Sequence, residues 1–116
     1  MTALSVATVA LAAGLASVLR FLAGHHLDRR VPWGTIAVNV VGSFVIGVVT
    51  GSGLPDEVSI PLATGFCGGL TTYSAFAVQT HDRGRLLGPV VVLLTLPPAL
   101  VACALGHVLG AALRAT

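Results

Sequence analysis

The sequence predicts an all-α membrane protein with four transmembrane helices in each chain. Of its 116 residues, 55% are hydrophobic and only 9% are charged, whereas a soluble domain carries about 25% charged residues. A helix of about 20 residues crosses the roughly 30 Å of hydrocarbon in a bilayer. Four crossings use the chain, so we expect residues 1–116 to form a single integral membrane domain. The predicted helices cover, in order, about residues 3–24, 33–53, 59–80 and 86–113.

Short polar stretches mark the ends of these helices. Residues 25–30 separate the first two helices, and Pro32 suits the first turn of the second because its missing N–H has no helical partner there. Trp33 follows and is typical of a membrane interface. Residues 55–57 form the next turn, and residues 81–85 separate the last two helices.

The third segment contains an unusual run, Gly65-Phe66-Cys67-Gly68-Gly69-Leu70-Thr71-Thr72-Tyr73-Ser74-Ala75-Phe76. Glycines weaken a helix, and in lipid a broken helix persists only where its freed backbone groups line a cavity or bind something. We therefore predict a break in mid-membrane and an ion site beside it. Freed carbonyls between Gly68 and Thr71 would suit a hard monovalent cation. The hydroxyls of this run serve either sign of ion, or bond back to their own helix.

Five side chains in apolar segments are further candidates. The Asn39 amide needs a partner in hydrocarbon, which is either an anion in a pore or a neighbouring helix, and Ser43 follows one turn later. Tyr73 and Phe76 share a helix face, and the positive edge of an aromatic ring can guide an anion. Ordinary packing is the alternative for both rings. Arg20, the only charge inside a segment, either anchors the helix or attracts anions into a water-filled vestibule.

Composition excludes several functions. A net charge of +2 is too small to indicate nucleic-acid binding, and Cys67 and Cys103 lack the spacing of a metal or disulfide motif. No catalytic triad, phosphate loop or carboxylate pair is present, so we do not expect an enzyme. Proton-coupled multidrug exporters generally need an intramembrane carboxylate, and no predicted helix interior contains one.

Charge placement predicts the orientation. Four arginines lie in the loops that join helices one to two and three to four, against one arginine on the opposite side. The positive-inside rule then places those loops in the cytoplasm and both termini outside. We expect a multi-pass protein of the cell inner (plasma) membrane.

Three stretches resemble one family, the small fluoride channels called CrcB or Fluc. They are residues 14–21, residues 34–44 and, most specifically, residues 65–76. The resemblance implies an antiparallel, dual-topology-type dimer of four-helix subunits, with two fluoride pores along the interface. It implies passive export that lowers cytoplasmic fluoride. It also implies a structural sodium ion, not transported, which backbone carbonyls of both broken third helices hold at the dimer centre.

The same resemblance assigns roles to particular residues. The sodium carbonyls would belong to Gly68 and Thr71. The fluoride pore would be lined by Asn39, Tyr73 and Phe76. From residue type and position alone, we add Ser43, Thr72 and Ser74 to the pore and place Arg20 in the vestibule. Tyr73 stands where the family usually has phenylalanine, and Thr95 is the chief hydroxyl of the fourth segment, where relatives often have a polar track.

The expected partners are fluoride, the lipid bilayer and a second subunit. An antiparallel homodimer requires one chain to insert in both orientations, whereas the arginine bias favours one orientation. The second subunit is therefore either the same chain or an oppositely oriented paralogue. A small multidrug-resistance-type exporter and a non-conducting partner subunit of a heterodimeric channel are the alternative functions.

Overall fold

The computed structural model describes residues 2–116, and within them the chain is helical with no β-strand. The predicted all-α class is confirmed. The elements in chain order are α1 (Ala3–Leu27), α2 (Trp33–Ser52), α3 (Asp56–Ile60), a π-helical segment (Pro61–Cys67), α4 (Gly68–Leu70), α5 (Tyr73–Asp82) and α6 (Gly84–Ala115).

Three helices, α1, α2 and α6, are long and apolar enough to cross a membrane within the described residues. The protein is therefore a multi-pass membrane protein. α1 continues past its predicted end through His25 and His26, because polar side chains at a helix end do not interrupt backbone hydrogen bonding. The backbone N–H of Asp28 closes the helix by donating to the carbonyl of Gly24.

The third predicted segment is not one continuous helix. The chain is helical over residues 56–70, becomes extended at Thr71 (φ −83°, ψ 154°) and Thr72 (φ −152°, ψ 115°), and resumes as α5. The interruption lies within the run Gly65 to Phe76 that we expected to weaken the helix, but at its threonines and not at its glycines, because residues 65–69 have helical backbone. The glycines act as small packing surfaces: a Cβ on Gly69 would collide with the backbone of Ala13 in α1.

α2 lies at the centre of the molecule. It packs along α6 on one side and against α1 on another. Residues 61–70 pack against α1, whereas α5 packs against α6. The extended residues thus carry the chain from one neighbouring helix to the other, and both parts of the third segment remain in contact with α2.

Small residues bring α2 and α6 into close contact. A Cβ on Gly47 would overlap the carbonyl oxygen of Cys103, and one on Gly106 would overlap the carbonyl oxygen of Phe44. The two backbones meet at further glycines in the same way. Such mutual approach is how membrane helices gain van der Waals contact where lipid is as apolar as their side chains.

The arginine-rich loops meet at one end of the molecule. The Arg83 guanidinium donates to the carbonyl oxygens of Arg29 (3.0 Å) and Arg30 (3.2 Å). Thr2, Asp56 and Glu57 border one cavity at the opposite end. The two loops that were predicted to share a side therefore do so in the fold.

α1 is the least covered of the long helices. Ala16 is its only fully buried residue in the part of the chain that the structure describes. Large apolar side chains such as Leu11 and Phe21 are 74% and 67% exposed. In a membrane protein such surfaces face lipid or another subunit.

Candidate ion site at the helix interruption

The site is built around the two extended threonines. Thr72 caps α5, because its Oγ1 accepts a hydrogen bond from the backbone N–H of Ala75 (3.1 Å). Thr71 closes the preceding helix instead: both its N–H (2.9 Å) and its hydroxyl (2.8 Å) donate to the carbonyl of Cys67. Each threonine thus satisfies one end of the interruption.

Asn39 of α2 pairs with the interruption from the side. Its Oδ1 accepts from the N–H of Thr72 at 2.8 Å, and its Nδ2 donates to the Thr72 carbonyl at 3.3 Å. Only 8% of Asn39 is exposed. The amide therefore takes the place of two helical hydrogen-bond partners. The sequence left two partners open for Asn39, an anion in a pore or a neighbouring helix, and the contact with a neighbouring segment is the one seen in this chain.

These contacts release two carbonyl groups. In a continuous α-helix the N–H of Thr72 would donate to Gly68, and the N–H of Ala75 would donate to Thr71. Here the first donates to Asn39 and the second to the Thr72 hydroxyl. Gly68 and Thr71, the two predicted sodium ligands, are thus two of the carbonyls that lose their helical donors at the interruption. Oxygen ligands of this kind suit a hard cation.

A cavity of about 360 Å³ lies against the interruption. It is bordered by α2, the third segment and α6. Its lining residues are Asn39, Gly42, Ser43, Ile46, Ala63, Cys67, Gly68, Thr71, Thr72, Tyr73, Phe76, Thr95, Leu96 and Ala99. The fold thus brings seven of the nine predicted site residues to one place.

The other two predicted site residues lie apart from this cavity. Ser74 is exposed, with its Oγ 3.2 Å from the Thr72 hydroxyl, so it reaches the site through that neighbour. Arg20 is half-buried on α1 and does not line the cavity.

The hydroxyl groups of the cavity differ in whether their protons are free. The Ser43 hydroxyl donates to the carbonyl of Asn39 at 2.7 Å, and that of Thr71 donates to Cys67. Both protons are committed to their own helix, as expected of back-bonding residues. Thr72 and Ser74 share one hydrogen bond, which leaves one of their two protons available.

Thr95 of α6 is the residue that the sequence analysis did not assign to the site. It is 4% exposed, it lines the cavity, and its Oγ1 has no hydrogen-bond partner within residues 2–116. A buried hydroxyl without a partner is costly. The sequence does contain a signal for this residue, because Thr95 is the only residue with a hydroxyl group in the long apolar run of α6.

The two aromatic rings lie together at the open side of the cavity. The ring centroids of Tyr73 and Phe76 are 6.2 Å apart, with an interplanar angle of 53°. Tyr73 is 81% exposed within the single chain. Its ring therefore borders the cavity without being covered by any other element of the same chain.

Comparison with known proteins identifies the family. The family model described as CrcB-like protein, Camphor Resistance (CrcB), matches residues 7–111. This chain belongs to the CrcB-like family. The resemblance recognised in the sequence is confirmed.

Relatives of this CrcB-like chain match over most of their length. A protein of Rhodococcus jostii (strain RHA1) named fluoride-specific ion channel FluC 2 is 38% identical over 109 residues, covering 89% of this chain and 96% of the relative. One of Leifsonia xyli subsp. xyli (strain CTCB07), named fluoride-specific ion channel FluC 1, is 42% identical over 125 residues, covering 95% and 89%. One of Opitutus terrae (strain DSM 11246 / JCM 15787 / PB90-1), named fluoride-specific ion channel FluC, is 41% identical over 117 residues, covering 86% and 87%.

CrcB-like relatives with these names are ion channels and not enzymes. The expectation that this chain is not an enzyme is confirmed by its family.

Proposed function

We propose that this chain is a subunit of a fluoride-selective channel that lets fluoride leave the cytoplasm passively and so lowers its concentration there. The observation that carries the proposal is the match to relatives named as fluoride-specific channels, because it extends over nearly all of this chain and includes the helix interruption. The small multidrug-resistance-type exporter is not favoured, since this family match points elsewhere.

The polar groups of the cavity suit a small anion that accepts hydrogen bonds and donates none. Asn39 retains a second N–H beyond the one that Thr72 uses. Thr95 contributes an unpartnered hydroxyl, and the Thr72–Ser74 pair contributes one free proton. We propose that these donors replace part of the hydration shell that fluoride loses on entering the membrane.

The aromatic pair would provide the remaining wall. An anion is attracted to the positive edge of a ring and repelled by its face. Tyr73 and Phe76 border the cavity, with their rings tilted relative to each other, and we propose that a ring edge faces the anion. The Tyr73 hydroxyl, absent from a phenylalanine, adds one donor to this wall.

A second subunit would close the cavity. The 81% exposure of Tyr73 and the uncovered surface of α1 support an interface of this kind. We propose an antiparallel dimer in which residues 56–82 cross the membrane in addition to α1, α2 and α6, with the interruption at mid-membrane. Two subunits related by an axis in the membrane plane would bring their interruptions to the same depth. The partner is the same chain or an oppositely oriented paralogue, and relatives named FluC 1 and FluC 2 support the second possibility.

The freed carbonyls support a structural sodium ion at the dimer centre. Gly68 and Thr71 would hold it with backbone oxygens, which fit a hard cation better than side-chain nitrogen or sulfur would. When bound, the ion would supply positive charge that offsets the unpaired carbonyl dipoles of both subunits.

We further propose that the arginine-rich loops lie in the cytoplasm, both termini lie outside, and the protein is in the inner (plasma) membrane. Arg20 would attract anions at the mouth of the pore.

Fluoride efflux from liposomes that contain the purified protein tests this function. A fluoride electrode would follow release, and chloride efflux from matched liposomes is the control. Rapid loss of fluoride without chloride is expected. If no fluoride leaves, the protein would be reconstituted again with an oppositely oriented paralogue. Fluoride efflux that occurs only when both proteins are present would identify this chain as a partner subunit that does not conduct by itself. Absence of fluoride efflux from liposomes that contain both proteins would refute the channel function.

A further inference from the structure

A second polar cluster joins α5 to the rest of the molecule. Asp28, in the connection between α1 and α2, accepts two hydrogen bonds from Thr35. The backbone N–H of Thr35 donates to Oδ1 at 3.0 Å, and its hydroxyl donates to Oδ2 at 2.9 Å. The carboxylate thus satisfies a free N–H in the first turn of α2, where negative charge is favourable.

Gln79 of α5 completes the group, which we call the Asp28 cluster (Asp28, Thr35 and Gln79). Its Nε2 donates to Asp28 Oδ2 at 3.3 Å and to the Thr35 hydroxyl at 2.7 Å. Three separate elements are therefore joined by one carboxylate. Its two oxygens have different partners, because Oδ1 serves only α2 whereas Oδ2 also serves α5.

The Asp28 cluster holds α5 at a point beyond the aromatic pair. α5 is a ten-residue helix that the extended threonines separate from residues 56–70. Asn39 holds its start at Thr72, and the Asp28 cluster holds it about two turns later at Gln79. The aromatic pair lies between these two attachments along the chain.

We propose that Asp28 is a positioning residue for the pore: it fixes the angle of α5 against α2 and thereby the distance from the Asn39 amide to the rings of Tyr73 and Phe76. α5 also packs against α6, and Arg83 at its end donates to the carbonyl oxygens of Arg29 and Arg30. The Asp28 cluster adds the attachment that ties a side chain of α5 directly to α2, about two turns after Thr72. The inference rests on the proposed function in one respect, namely that Asn39, Tyr73 and Phe76 line the fluoride pathway.

A purely stabilising role for Asp28 makes a different prediction. That role requires Oδ1 and the Thr35 N–H, and an asparagine side chain fills it as well as aspartate does. The substitution Asp28→Asn retains one acceptor oxygen for α2 but replaces the carboxylate oxygen that receives both the Thr35 hydroxyl and Gln79. Gln79 Oε1 is buried without a partner in residues 2–116 and could accept from the new amide, so Gln79→Met is the variant that removes only the contact that holds α5 and leaves the Asp28–Thr35 bonds in place.

The test compares Asp28→Asn, Gln79→Met and the double variant with a matched control, Asp82→Asn. Asp82 is an exposed carboxylate at the end of α5, so the control removes the same charge near the same loop without touching the cluster. Fluoride and chloride efflux from liposomes are measured for each variant. Hydrogen exchange of the backbone amides of residues 73–82 is measured on the same preparations.

Asp28→Asn and Gln79→Met are each expected to slow fluoride efflux by about tenfold or more, because misplaced polar groups lose much of their effect. Both should also lower the fluoride-to-chloride ratio. The double variant should be no slower than the slower single one, since both changes break one contact. Asp82→Asn should stay within about twofold of the wild type. Exchange in α5 should rise in the first three variants and not in the control.

Normal efflux and unchanged exchange in Gln79→Met, with a conducting wild type, would overturn the inference and leave the channel function standing. Loss of efflux with unchanged exchange in α5 and an unchanged anion ratio would also overturn it. A wild type that conducts no fluoride, either alone or with an oppositely oriented paralogue, would refute the proposed function, and the exchange measurement would still decide whether Asp28 holds α5.

Discussion

Asn39 and Thr72 are joined by two hydrogen bonds that run in opposite directions, one from the Thr72 peptide to the amide and one from the amide to the peptide. The side chain thereby pairs with a backbone unit much as a neighbouring β-strand would. In lipid, where water cannot serve the same groups, an interruption of a helix needs a partner of this kind. Asn39 therefore has a structural role, and the proposed function gives the same residue a second role in conduction.

Replacing Asn39 by leucine should impair both stability and transport. The change keeps side-chain size but leaves the Thr72 N–H and carbonyl unpaired, at about 1–3 kcal/mol for each buried group. We expect a lower midpoint of thermal unfolding in detergent and at least about tenfold slower fluoride efflux. Ser52→Ala is the control, because the Ser52 hydroxyl only donates to Val49 within α2. Wild-type values for Asn39→Leu in both measurements would contradict the pairing.

Replacing Thr95 by valine should separate stability from transport. The hydroxyl is buried and unpartnered within the described chain, so its removal should leave the unfolding midpoint unchanged or raise it. Fluoride efflux should fall, because a donor to the anion is lost. Thr80→Val is a close match, since the Thr80 hydroxyl is also buried without a partner in residues 2–116 but borders a different cavity. Equal efflux from both variants would remove Thr95 from the pathway.

Replacing Gly47 by alanine should destabilise the fold. The added Cβ would overlap the carbonyl of Cys103, so α2 and α6 must separate, which we expect to cost about 1–3 kcal/mol, as overpacking usually does. Gly14→Ala is the control on α1, where a Cβ would meet nothing within 4 Å. Thermal unfolding in detergent would compare them. Equal midpoints for the two variants would show that the α2–α6 contact is less close than described.

Removing sodium should destabilise the assembled protein. If Gly68 and Thr71 bind the ion only in the folded state, a hundredfold excess over the dissociation constant contributes about 2.7 kcal/mol. We expect a saturable rise of the unfolding midpoint with sodium chloride and none with choline chloride at the same ionic strength. Identical midpoints in the two salts would argue against a sodium site.

Hydropathy was sufficient to locate α1, α2 and α6. A long apolar run in lipid satisfies its backbone most readily as a helix, so composition alone determines the answer there. The contact of α2 with α6 through Gly47 and Gly106 could not be predicted in the same way. The spacing of glycines shows that a helix can be approached closely, but it does not show which helix approaches it.

The position of the interruption could not be predicted from local sequence. Glycines lower helix propensity, yet Gly65 and Gly69 remain helical because α1 packs closely against them. The chain becomes extended at Thr71 and Thr72, where Asn39, more than thirty residues earlier, accepts the peptide N–H. A contact between distant residues outweighed the propensity of neighbouring ones. The hydrogen bonds of Asp28 could not be predicted for a related reason, since its partners lie on two other helices.

The order of the helices along the chain also bears on how the protein is made. The glycine-rich contact of α2 is with α6, and α6 follows every other described helix along the chain. During synthesis, α2 therefore enters the membrane long before the surface that it fits exists. Insertion and packing are separate events for this pair of helices, which can associate only after α6 has been made.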